Sequence, residues 1–98
     1  MVKLIRWEGQ ANETFKDIAF YLQDEYSHNV AMKFAENVYE KLDLLTLYPE
    51  IGRPSLIDSS VRMVKIGKSH LMFYSFDGYE LVIIDFFNTR QDPNKRKY

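Results

Sequence analysis

The chain has 98 residues, which is long enough for one hydrophobic core. Its residues are 46% hydrophobic and 15% aromatic, with a formal net charge of −1, and this composition excludes the class of disordered chains that combine low hydrophobicity with high charge. The absence of cysteine excludes disulfides and thiolate metal sites and favours a reducing cytoplasm. No apolar run approaches the roughly 18 residues that span a bilayer, and charges interrupt the N-terminal segment, so we predict one soluble domain over residues 1–98 with no signal peptide and no membrane partner.

The first quarter of the chain predicts one strand and one helix. Residues Val2 to Trp7 alternate between two faces, which is typical of a short strand that joins a sheet. Asn12 is a residue type that caps helix N-termini, and it precedes a segment with helical periodicity. The apolar residues that define the helical stripe are Phe15, Ile18, Ala19, Leu22 and Tyr26.

A second, longer helix follows directly. Ser27-His28-Asn29 interrupts the first helix and offers a new N-cap. Because Pro49 disfavours helical geometry in the residue before it, this helix must end by Tyr48. The short connection predicts an antiparallel helix hairpin whose apolar stripes pack on a sheet, with the small Ala35 permitting close approach. The second stripe comprises Ala31, Phe34, Ala35, Val38, Leu42 and Leu45.

Three apolar runs between Val61 and Phe87 predict a three-stranded antiparallel meander. The runs are separated by Gly67-Lys68-Ser69 and by Asp77-Gly78, and the second pair predicts a two-residue hairpin turn, because such a turn needs positive φ. The last run, from Tyr79 to Phe87, is apolar on both faces and is expected in the sheet interior as a central strand. The first run is expected nearer an edge, because it carries Arg62, Lys65 and Lys68.

These elements predict an α+β fold, in which a small antiparallel sheet packs against a two-helix hairpin in the order β-α-α-β-β-β. The turn-rich stretch from Pro49 to Pro54 connects the hairpin to the sheet. Residues 88–98 form a basic tail, in which Asp92-Pro93 predicts a short helical turn. Tyr98, at the end of this tail, is expected to be frayed.

The order of these elements and a set of short motifs resemble the RelE/ParE superfamily of toxins from bacterial type II toxin-antitoxin modules. The second helix ends in the pattern L-x-x-x-P-x-x-G-R, and the chain closes with a T-R-Q-D-P sequence that looks more like the ParE branch than the RelE branch. Two positions before that ending depart from many relatives, which carry a basic residue and a histidine there. The motif residues are Leu45, Pro49, Gly52, Arg53, Val61-Arg62, Met72-Phe73-Tyr74 and Arg90-Gln91-Asp92-Pro93, and the departures are Asp85 and Asn88.

The resemblance implies three functional hypotheses. The first is a ParE-like toxin that inhibits DNA gyrase through protein contact and is neutralised by a cognate antitoxin. The second is a RelE-like endoribonuclease that cleaves messenger RNA on the ribosome without a metal. The third is a non-toxic homologue that only binds an antitoxin. None of the three implies a cofactor, and we favour the first.

Candidate catalytic residues exist only for the ribonuclease hypothesis. Arg62 and Arg90 match positions at which ribonuclease members place catalytic arginines, where cations stabilise the charged phosphate. The general base stays unknown, because neither His28 nor His70 falls in a recognisable catalytic motif. The structural alternatives are an ion pair of Arg62 with Asp85, and an Arg53 that anchors a loop by donating to backbone carbonyls.

Charge is divided unevenly along the sequence. The segment from Glu8 to Glu50 contains nine acidic and three basic residues, whereas the segment from Ile51 to Tyr98 contains eight basic and five acidic residues. This asymmetry favours a basic surface that contacts the target or acidic residues of the antitoxin. The residues predicted for that surface are Lys65, Lys68, Arg90, Lys95, Arg96 and Lys97.

Overall fold

A computed structural model describes residues 2–98. The elements follow the order β1 (Leu4–Trp7), α1 (Gly9–Glu25), α2 (His28–Leu47), β2 (Arg53–Pro54), β3 (Arg62–Ile66), β4 (His70–Phe76), β5 (Glu80–Asn88) and a 3₁₀ turn (Pro93–Lys95). The predicted α+β class is confirmed, with the helix hairpin and the three-stranded meander in their expected places.

The five strands form one sheet in the order β1-β5-β4-β3-β2. The meander pairs are antiparallel, but β1 pairs with β5 in parallel, from Leu4 opposite Glu80 to Trp7 opposite Ile83. Strand β5 is interior as predicted, although β4 is the middle strand. The two-residue β2, which the sequence did not predict, pairs only with Arg62 and Met63, so the rest of β3 keeps an open edge.

The two helices lie against one face of the sheet and enclose the main core. Ser27 caps α2 as predicted, since its Oγ accepts a hydrogen bond from the amide of Val30 at 3.2 Å. The predicted Asn12 cap is wrong, because the amide of Glu8 bonds to Ile83 in β5 and α1 begins at Gly9. The main core comprises Val2, Ala11, Phe34, Val38, Leu42, Leu45, Val64, Ile66, Met72, Tyr74, Leu81, Ile83 and Phe86.

Not every member of the predicted helical stripes is fully buried. Tyr26 is 59% exposed at the C-cap of α1, and Ala35 is only half-buried beside the fully buried Val38. The helix pair contacts the sheet through the side of α2 that carries Phe34 and Val38. The expectation that the small Ala35 permits close approach of α2 to the sheet stays a prediction.

The opposite face of the sheet is partly covered by the C-terminal tail. A register irregularity between Phe73 and Tyr74 shifts the alternation of β5, so that Ile83 and Phe86 both belong to the main core while Ile84 and Phe87 pack on the opposite face. The ring of Tyr98 packs on Phe73 at a centroid distance of 5.3 Å, and the Arg96 guanidinium lies 5.8 Å from the same centroid. The expectation of a frayed Tyr98 is therefore wrong. This smaller cluster comprises Val61, Leu71 and Phe73, with Met63, Ile84, Phe87 and Tyr98 packed around them.

The β4–β5 turn differs from the expected two-residue turn in the positions of its aspartate and glycine. Only Gly78 has a positive φ, of 97°, whereas Asp77 lies before the turn and its amide bonds to the carbonyl of Glu80. The Asp77 carboxylate accepts hydrogen bonds from the amides of Glu80 and Tyr79, at 2.8 and 3.0 Å. These bonds lower the pKa of Asp77, so the turn is held by an ionised carboxylate.

Candidate functional site

The two candidate catalytic arginines lie at opposite ends of β4. Arg62 pairs with Tyr74, and Asn88, two residues before Arg90, pairs with His70. Since a strand rises about 3.3 Å per residue, these ends are about 13 Å apart. Arg90 lines the two pockets beside His70, and Arg62 lines neither of them.

Arg62 holds the connection between the helices and the sheet. Its Nη1 donates hydrogen bonds to the carbonyl oxygens of Gly52 at 2.7 Å and Glu50 at 3.1 Å. The expected ion pair with Asp85 does not form, since that carboxylate accepts from the adjacent amide of Phe86. The loop-anchoring role expected for Arg53 belongs to Arg62, and the Arg53 side chain is exposed in β2.

Tyr74 reinforces the same loop from inside the core. Its hydroxyl donates to the carbonyl of Pro49 at 2.7 Å and accepts from the amide of Gly52 at 3.0 Å. Burial raises the pKa of Tyr74, so the hydroxyl keeps the proton that it donates. Tyr74 is fully buried, so its ring is unavailable for base stacking.

Arg90 is positioned by a folded segment directly after β5. Thr89 bonds to the Ser69 carbonyl through its amide at 2.7 Å and its hydroxyl at 3.0 Å. The side-chain oxygen of Asn88 accepts from the Arg90 amide at 2.9 Å. Asn88, noted in the sequence as a departure from many relatives, thus forms the turn that places Arg90 beside His70.

A cleft opens at this end of the molecule, between the helix hairpin and the ends of β4 and β5. It has two lobes of about 450 and 470 Å³, and both lobes are lined by Tyr21, His70, Asn88 and Arg90. Neither Tyr21 nor Asn88 was predicted to belong to a site. Tyr21 is 53% exposed although it is a large aromatic residue, but that signal appears only once the helix orientation is known.

His70 forms the floor of this cleft. It is 8% exposed, and its ring packs on Phe34 at a centroid distance of 4.9 Å. Burial, and secondarily the charge of Arg90, lower the pKa of His70. The imidazole is therefore neutral in the folded protein at pH 7.

The lowered pKa of His70 predicts a loss of stability in mild acid. Above the ordinary histidine pKa of about 6.5, neither the folded nor the unfolded state is protonated at His70. As the pH falls from that value towards the lower folded pKa, the unfolded state takes up the proton first, so the free energy of unfolding decreases. Urea unfolding should give a lower free energy of unfolding at pH 5.5 than at pH 7.5 for the unmodified protein. His70→Gln should reduce this difference, and His28→Gln, at an exposed position, should not. An equal drop in all three proteins would contradict this assignment.

The remaining predicted contact residues occupy several surfaces. Lys68 lines the same cleft as Arg90, whereas Lys65 lies beside α2 at the open edge of β3. Lys95 and Lys97 are exposed on the tail, and Arg96 is half-buried against the far face of the sheet, where its Nη2 lies 3.2 Å from the Met63 sulfur. The basic residues therefore do not form one continuous surface, and their contact roles stay predictions.

A comparison with family models gives a match to the ParE toxin of the type II toxin-antitoxin system parDE, over residues 5–93. This chain belongs to the ParE toxin family. The predicted RelE/ParE superfamily membership is thereby confirmed, and the chain is a ParE-like toxin of the type II class. No curated protein matches the chain in sequence.

Three solved structures share the fold of this chain. A chain from the chromosomal ParDE system of P. aeruginosa aligns with a TM-score of 0.75 at 18% identity, covering 90% of this chain and 97% of the other. YoeB from Staphylococcus aureus aligns at 0.58 and 20% identity, covering 85% and 92%. YafQ from E. coli aligns at 0.54 and 12% identity, covering 88% and 92%. At these identities the likeness concerns the fold.

The ParE family match ends at Pro93, inside the C-terminal turn. The match includes Arg62, Lys65, Lys68 and Arg90, whereas the basic run of the tail lies beyond it. Among residues 2–98, no three histidine, aspartate or glutamate side chains converge on a point that would hold a metal ion. Neither α1 nor α2 is long and apolar enough to cross a bilayer.

Proposed function

We propose that this ParE-family toxin acts in the cytoplasm by inhibiting DNA gyrase through protein contact, and that a cognate antitoxin holds it inactive. The observation that carries this proposal is the ParE family match over residues 5–93, because it favours the ParE branch over the ribonuclease branch. No cofactor is part of the proposal.

The geometry of the two arginines supports the same choice. Cleavage of RNA without a metal needs a base, an acid and cations around one phosphate. Arg62 is occupied by the Glu50 and Gly52 carbonyls, at the opposite end of β4 from Arg90. One feature favours the RelE-like alternative: Arg90 shares a cleft with His70, whose neutral imidazole has the protonation state that a base requires.

Two parallel assays separate these functions. The purified protein should block supercoiling by gyrase, or trap cleaved DNA, and should leave ribosome-bound messenger RNA intact. Arg90→Ala should then reduce gyrase inhibition if the basic surface near the tail contacts the target. Arg62→Ala needs a thermal melt beside the activity assay, because it also releases a structural loop.

The opposite pattern would overturn the proposal. Codon-dependent cleavage of translated message, lost in Arg90→Ala and accompanied by normal supercoiling, would establish the endoribonuclease hypothesis. A folded protein that is inactive in both assays would establish the non-toxic antitoxin-binding homologue.

For the antitoxin, the open edge of β3 is the surface that we propose as a contact. Beyond Met63, β3 has no outer neighbour within the described chain, and a groove of about 530 Å³ runs between it and α2. An added strand could pair with the exposed backbone edge while its side chains enter this groove. Lys41 and Lys65 line the groove, which also contains Glu40.

Charge reversal at this edge tests the antitoxin surface. Lys65→Glu should slow association of the antitoxin encoded beside the toxin gene more than it accelerates dissociation, because exposed charges act mainly through steering. The effect should shrink in high salt, and Lys3→Glu at the other side of the sheet is the control. Association rates that depend on neither salt nor Lys65 would refute the electrostatic contact.

A further inference from the structure

The two lobes of the His70 cleft differ in their chemistry. The lobe against α2 and the β3–β4 turn is lined by three cationic side chains from three separate segments, namely Lys33, Lys68 and Arg90. No carboxylate is among the described residues that line this lobe. Such convergence of cations on one concave surface favours an anionic group as its occupant.

The other lobe offers groups that suit a planar polar ring. Ile18 and Phe86 contribute apolar lining, and Asp17 and Gln91 provide an acceptor and an amide. Tyr21 borders both lobes and presents an exposed aromatic ring between them. Aromatic rings stack on nucleobases, and carboxylates and amides bond to the edges of bases.

His70 presents polar atoms to both lobes. The residue is 8% exposed and lines each lobe, and its ring takes part in none of the hydrogen bonds within residues 2–98. No buried side-chain nitrogen or oxygen in that part of the chain lacks a partner, so the ring nitrogens are open to the cleft. A polar ligand there could replace the water that hydrogen-bonds to the ring.

We infer that this cleft binds a nucleoside monophosphate, with the phosphate among Lys33, Lys68 and Arg90 and the base in the lobe beside Asp17. Each lobe falls within the range of about 300–1,000 Å³ that is usual for small-ligand sites. An acidic peptide would use the cationic lobe, but it would leave the amide and aromatic lining of the other lobe without a role. The inference does not depend on whether gyrase or the ribosome is the target.

Calorimetric titration with AMP tests the site directly. AMP should bind, and adenosine and inorganic phosphate should each bind at least about tenfold more weakly, because each lacks one of the two recognised groups. Lys68→Gln and Arg90→Gln should each weaken AMP binding by about tenfold, the effect of losing one charge-assisted hydrogen bond. Lys3→Gln makes the same charge change beside Tyr79, at the opposite end of β5 from the cleft, and should leave the affinity unchanged.

The His70 resonance in NMR spectra provides a second measurement. The charged side chains that line the cleft with it are Asp17, Lys33, Lys68 and Arg90. Because a phosphate next to the ring favours the imidazolium, AMP should raise the titration midpoint of His70. Equal binding of adenosine and AMP, or loss of AMP binding in Lys3→Gln as well, would overturn the inference. So would a short oligoglutamate peptide that binds in place of AMP, which would assign the cleft to an acidic protein segment.

Discussion

Val38→Glu should leave the protein unfolded at room temperature. Val38 is fully buried in α2 and belongs to the core between the helices and the sheet. Burying a carboxylate without a partner costs several kcal/mol, which approaches the roughly 5–15 kcal/mol total stability of a small domain. The far-ultraviolet circular dichroism spectrum should lose its helical signal, and the cooperative thermal transition should disappear.

Two substitutions on the same helix calibrate this result. Met32→Glu introduces the same carboxylate at a position that is 48% exposed, and it should preserve a cooperative transition near that of the unmodified protein. Ala35→Glu, at a half-buried position, should give an intermediate loss of stability. If Val38→Glu melts like Met32→Glu, the orientation of α2 described above is wrong.

Gly52→Ala should produce the second large loss of stability. A Cβ atom at this position would lie 2.7 and 2.9 Å from the Tyr74 ring carbons Cε1 and Cζ and would overlap its hydroxyl. Tyr74 is fully buried and cannot move away, so overpacking should cost about 1–3 kcal/mol. Any loss of the bond from the Gly52 amide to the Tyr74 hydroxyl adds about 1–3 kcal/mol for a buried group left without a partner.

Gly9→Ala is the matched control for this substitution. A Cβ on Gly9 meets no atom within 4 Å, and Gly9 is the first residue of α1. Replacing glycine by alanine in a helix lowers the entropy of the unfolded chain, so a gain of about 0.4–1 kcal/mol is expected. Urea unfolding of both variants measures the contrast, and similar midpoints would mean that the Gly52–Tyr74 contact does not constrain the loop.

Local signals in the sequence were sufficient for most of the secondary structure. Ser27 caps α2 because its side chain reaches an amide three residues away, and Pro49 ends that helix through its immediate neighbour. Gly78 marks the β4–β5 turn because glycine adopts a positive φ without strain, and this preference belongs to a single residue. Each of these features depends on atoms that are close in the sequence, so the pattern of residues predicts it directly.

The features that were missed depend on contacts between distant segments. Strand β2 is two residues long and contains Pro54, so it has no periodic signal and exists only through its pairing with β3. The start of α1 is determined by the hydrogen bond from the Glu8 amide to the carbonyl of Ile83. Ile83 lies in β5, so the sequence of the helix itself gives no sign of this bond. The cleft likewise depends on the orientation of two helices relative to the sheet, and therefore Tyr21 could not be placed beside His70.

The interpretation of Arg62 shows the same limit for a functional residue. The sequence placed an arginine at the start of a strand, where a phosphate contact and an ion pair with Asp85 were equally reasonable. Its actual partners are the backbone carbonyls of Glu50 and Gly52, and carbonyl positions carry no signature in the side-chain sequence. A guanidinium has five N–H donors and can bond to any of these acceptors, so only the fold determines which acceptor it meets.

The parallel pairing of β1 with β5 also determines when the toxin can become complete during its synthesis. The first strand emerges from the ribosome early, but the strand beside it, which also packs against α1, ends at Asn88. Contacts between such distant segments form late, because the intervening chain must first be ordered. A nascent chain released before residue 80 would carry a helix hairpin with part of its apolar surface uncovered. We expect such truncated products to be targets of proteases, so that translation yields the folded toxin only when nearly the whole message has been read.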